Sequence, residues 1–64
     1  MTRTDQHRYQ RRVEALLDQI RDRVEELQRL KARGVRGRAL IERKQELART
    51  REQLAAVVGR QLAA

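Results

Sequence analysis

Residues Lys31 to Leu40 read KARGVRGRAL. Gly34 and Gly37 interrupt a chain that is helical in pattern on both sides and contains no proline. Glycine commonly ends a helix in the left-handed conformation, because it has no Cβ to clash there. The stretch therefore predicts a helix stopping at Gly34, a short connection at 34–37, and a second helix starting near Arg38. It also gathers charge: Arg29, Lys31, Arg33, Arg36 and Arg38 follow one another with no acid between Leu27 and Ile41.

Upstream of the glycines, apolar residues fall at Tyr9, Val13, Leu16/Leu17, Ile20, Val24, Leu27 and Leu30. Their steps of three and four are the period of one helix face. Thr2, with Asp5 three residues on, reads as the N-terminal cap. Helix 1 is expected over about residues 3–33. Downstream, Leu40/Ile41, Leu47/Ala48, Leu54/Ala55, Val58 and Leu62 repeat as a coiled-coil seam does, and helix 2 is expected over about residues 38–60.

A connection this short turns the helices antiparallel. With the fold point between Val35 and Arg36, Leu30 is expected to meet Ile41, Val24 to meet Leu47, and Leu17 to meet Leu54. Val13 then meets Val58 and Tyr9 meets Leu62. The same register sets Ile20 against Arg51 and Leu27 against Lys44, with Glu26 close enough to Lys44 for a cross-helix pair. The expected fold class is all-α, a single antiparallel two-helix coiled-coil hairpin.

A chain of 64 residues rarely builds a self-sufficient core, and natural examples of that size add disulfides, metal or a partner. Here there is no cysteine, and His7 is the only histidine, so neither a disulfide staple nor an ordinary zinc site is expected. Helix 1 is the more apolar helix. Leu16, Leu17, Ile20, Val24 and Leu27 form a shelf that helix 2 is not expected to cover. The shelf is expected to meet its own copy, giving a homodimeric four-helix bundle, or else to grip a helix of a larger protein partner.

The formal charge is +7 and the pI near 11.5, which directs attention to anionic partners. Lys31 and Lys44 are the only lysines. The remaining cations are arginines, which suit bidentate phosphate contacts. Arg29, Lys31 and Arg33 complement the negative end of helix 1's dipole. Arg36 and Arg38, at the positive start of helix 2, have no such rationale. A second basic cluster, Arg8, Arg11 and Arg12 with Arg3 and His7, lies near the start. Contact with the RNA or DNA phosphate backbone is expected through Arg29, Lys31, Arg33, Arg36 and Arg38, aided by Arg8, Arg11 and Arg12. Tyr9 is the only aromatic residue, so base stacking contributes little and binding should be salt-dependent.

Other chemistry finds little support. Glu14, Asp18, Asp22 and Glu26 recur every fourth residue and read as a solvated or partner-facing stripe, since helical spacing splays them. There is no serine, His7 has no orienting partner, and the two glycines lack the strand and Lys-Ser/Thr of a phosphate loop. No enzyme activity and no cofactor are expected. The start has no apolar signal segment, and the longest apolar run, Leu54 to Val58, is far short of the ~20 residues of a membrane span. A cytoplasmic protein is the expectation.

In length and arrangement the chain resembles the Rop-type plasmid copy-number regulators, dimers of two-helix hairpins that bind paired RNA loops. The resemblance rests on no residue motif, so no site is carried over. The ending Leu62-Ala63-Ala64 is similar to the end of the bacterial tag that marks stalled-ribosome products for proteolysis, which implies a short-lived regulator. The expected function is a non-enzymatic, self-associating helical-hairpin interaction module that contacts nucleic acid or a nucleoprotein. The alternative is a protein-directed adaptor or regulatory subunit that docks the shelf of helix 1 on a partner helix.

Overall fold

A computed structural model describes residues 3–63, with side chains described from residue 5. These residues form two helices, α1 (Arg3–Ala32) and α2 (Arg38–Ala63), and no strand. They lie side by side in a rod measuring 48 × 17 × 11 Å. The second helix passes through Gly59 and runs to Ala63. The Thr2 cap lies outside the described residues. No described helix is long and apolar enough to cross a membrane.

The turn works through both glycines. Gly34 has φ 80° and Gly37 has φ 82°, a conformation costly for any residue with a Cβ. The Val35 N–H donates to the Leu30 carbonyl at 3.0 Å, and the Gly34 N–H to the Lys31 carbonyl at 3.0 Å. That pair of bonds is the Schellman closure of a helix C-terminus, and it satisfies carbonyls that would otherwise lack partners. On the other side the Gly37 carbonyl accepts the first bond of α2, from the Ile41 N–H at 3.1 Å. Gly37 is thus the N-cap of α2, and it brings no side-chain oxygen to the exposed N–H groups there.

The helices are antiparallel. Their cross-helix contacts, Arg23 with Thr50 and Glu46, and Arg43 with Glu26, straddle the expected fold point between Val35 and Arg36. Of the expected seam, Tyr9, Val13, Val24, Leu30, Leu47, Leu54 and Val58 are buried or half-buried, and three positions are not. Leu17, Ile41 and Leu62 were expected in the seam; they are 46%, 55% and 82% exposed. Their neighbours Leu16, Leu40 and Gln61 turn inward instead. The covered positions of α1 are Tyr9, Val13, Leu16, Ile20, Arg23, Val24, Glu26, Leu27 and Leu30. Those of α2 are Leu40, Glu46, Leu47, Thr50, Leu54, Val57, Val58 and Gln61. Through each set runs the alternating three-and-four step of a coiled coil, with Arg43 exposed at the place between Leu40 and Leu47.

The reason for these departures is polar. The expected faces put Lys44 and Arg51 against Leu27 and Ile20, with Glu26 near Lys44 and no anion for Arg51. In the structure both are exposed, and the middle of the seam holds Thr50, 3% exposed. Its hydroxyl donates to the Glu46 carbonyl at 3.0 Å and accepts from Arg23 Nε at 3.0 Å. Arg23 Nη1 reaches Glu46 Oε2 at 3.3 Å. Arg43 joins Glu26 Oε1 at 3.3 Å and Glu46 Oε2 at 3.5 Å. Among the described residues no buried side-chain nitrogen or oxygen is left without a partner. A polar layer is tolerated in a seam only when it is satisfied in this way. Glu26 accordingly pairs with Arg43, not with Lys44.

Candidate functional site

Folding back at Gly34 and Gly37 brings the end of α1 and the start of α2 together at one tip of the rod. Arg29 and Lys31 ride the last turn of α1, Arg33 and Arg36 sit in the connection, and Arg38 opens α2. All five are exposed. None of the ion pairs among the described residues includes any of them. The nearest acids in sequence, Glu26 and Glu42, do not reach them: Glu26 is held by Arg43, and Glu42 is exposed on α2.

Local electrostatics reinforce the cations unevenly. At the end of α1, Arg29 and Lys31 face a negative dipole terminus and stabilise it. At the start of α2 the N–H groups and the dipole are themselves positive. Because Gly37 adds no oxygen there, the positive field of Arg36 and Arg38 is supplemented and not offset. Uncapped N–H groups of this kind favour anions.

The remaining expected site residues are distributed differently. Arg8, Arg11 and Arg12 are exposed, but on the first turns of α1, about 30 Å along the helix from Arg33 at 1.5 Å per residue. The structure does not bring them to the tip. Of the expected shelf, Leu16 is 0% and Leu27 7% exposed. Both are enclosed by α2 within the hairpin. Ile20 and Val24 are half-buried, and Leu17 alone stands out. A continuous uncovered shelf on helix 1 is therefore absent, because the seam runs through its centre. Of the acidic row, Glu14, Asp18 and Asp22 are exposed, while Glu26 joins the seam network. Among the described residues no three His, Asp or Glu side chains gather in a metal-binding group.

Two features escape apolar counting. One is the chain of contacts from Glu26 through Arg43, Glu46 and Arg23 to Thr50. Its sequence signal is Thr50 itself, three residues after Leu47 and four before Leu54. The other is the exposure of Ile41 and Leu62 on α2. Comparison with family models, curated proteins and solved structures returns no match.

Proposed function

We propose that the hairpin is a non-catalytic interaction module that binds the phosphate backbone of nucleic acid with its turn. One observation carries this reading: the tip holds five exposed cations outside every described ion pair, while Arg23 and Arg43 in the middle of the rod are held by carboxylates. Arginine forks match phosphate oxygens in geometry, and the uncapped start of α2 adds donors of the same sign. Arg8, Arg11 and Arg12 would engage only nucleic acid that runs along the rod.

The test is binding of duplex DNA and of structured RNA across a salt series, for wild type and for Arg36→Glu/Arg38→Glu. Wild-type affinity should fall steeply with salt, and the variant should bind at least about tenfold more weakly. Absence of binding at low salt, or a variant equal to wild type, would remove the proposal.

A further inference from the structure

The seam's heptad geometry defines two flanks of the rod. In an antiparallel pair the positions just after one core row of each helix share one flank, and those just before the other row share the opposite one. The second flank carries Glu26 and Glu46 with Arg43 between them. On the first flank, α1 contributes Leu17 and Val24. Facing them, α2 contributes Lys44, Arg51 and Val58, and one position further from the seam a stripe of Ile41, Ala48, Ala55 and Leu62, spaced seven residues apart along its whole length. Leu17, Ile41 and Leu62 are the exposed large apolar side chains of the described chain, and all three fall on this one flank.

The charge on this flank is also one-sided. By the same helical spacing it carries Arg21, Lys31, Lys44 and Arg51, all exposed, against a single carboxylate, Glu14. None of those four cations takes part in the described ion pairs. The other acids fall on the outer faces or on the opposite flank. The result is an apolar stripe on α2 with Lys44 and Arg51 along its seam side.

That combination selects among occupants. A second copy docking by a two-fold axis would bring two such cationic borders together, which is unfavourable. A lipid surface is a poor fit, because the strip has no aromatic residue and half of the α2 stripe is alanine, leaving little to insert. Alanines instead let a neighbouring helix axis come close. We propose that this flank is the docking face for an acidic amphipathic helix of a partner protein, whose apolar side covers Ile41, Ala48, Ala55 and Leu62 and whose carboxylates meet Lys44 and Arg51. It uses a different part of the rod from the phosphate-binding tip, so the two proposals fail separately.

The probe is a labelled monomeric helical peptide of about three heptads, with a Leu/Ala face bordered by glutamates, beside a twin bordered by lysines. The acidic peptide should bind, and its twin should not. Lys44→Glu/Arg51→Glu should weaken binding by at least about tenfold, and Lys44→Gln/Arg51→Gln by less, with helicity by circular dichroism unchanged. Arg36→Glu/Arg38→Glu removes more positive charge than the Gln variant yet should leave peptide affinity within about twofold. Equal binding of the two peptides would overturn the proposal, as would equal sensitivity to the tip substitutions. So would saturable binding to phosphatidylglycerol vesicles without peptide binding, or self-association in sedimentation equilibrium that Leu17→Glu/Ile41→Glu abolishes.

Discussion

The arginines in the middle of the rod and those at its turn have the same side chain and opposite fates. Arg23 and Arg43 lie within reach of Glu46 and Glu26, and Arg23 also closes on the hydroxyl of a buried threonine. Their charge is neutralised locally and fixes which faces of the helices meet. Arg33, Arg36 and Arg38 lie beyond the last carboxylate and are exposed. Their charge fixes nothing within the hairpin. What separates the two sets is whether a carboxylate stands one helical turn away across the seam. A high arginine content is therefore not one property: part of it specifies the fold and part remains for a partner.

The comparison can be broken most severely in the middle. Leu16 is fully buried, and Leu16→Ala should cost about 2–4 kcal/mol. A hairpin with so few buried side chains has little to set against that, so circular dichroism should show loss of the cooperative melt. An unchanged melting curve would mean that the helices do not pack through this face. At the turn the backbone matters more than the charge. No atom would touch a Cβ added at Gly34, but its φ is 80°. Gly34→Ala should therefore lower stability by about 1–2 kcal/mol through conformation alone. A gain in stability there would argue for a continuous helix.

The smallest change in stability is expected from the most polar position. Replacing both partners of a satisfied layer with apolar residues is often neutral or stabilising. Arg23→Leu/Thr50→Leu should shift stability by about 1 kcal/mol or less. The cost should appear as lost specificity: sedimentation velocity should resolve several association states or registers, as when a single polar seam residue is removed from a coiled coil. A sharper, single species would show that the polar layer does not choose the register.

Much of this fold is legible in the sequence. The two glycines and the three-and-four steps locate both helices and the turn, because helix termination and helical period are local properties. The choice of face is not local. Leu16/Leu17 and Leu40/Ile41 are doublets that offer two seams one residue apart, and apolar counting weights them alike. Only the Arg23, Glu46 and Thr50 constellation separates them, and apolar counting passes over it as a gap. The tip cations were legible because they follow one another in the chain. The apolar flank was not, since Leu17 and Ile41 had already been assigned to the seam.

The central claim is that turn arginines are available to phosphate while seam arginines are not. The most direct measurement is the slope of log affinity against log salt for duplex DNA, taken on wild type and on Arg36→Gln/Arg38→Gln. Each phosphate contact contributes about 0.9 to that slope. The account predicts a slope smaller by about two for the variant, with a melting curve within about 0.5 kcal/mol of wild type. An unchanged slope, or a slope reduced only because the hairpin has unfolded, would contradict it.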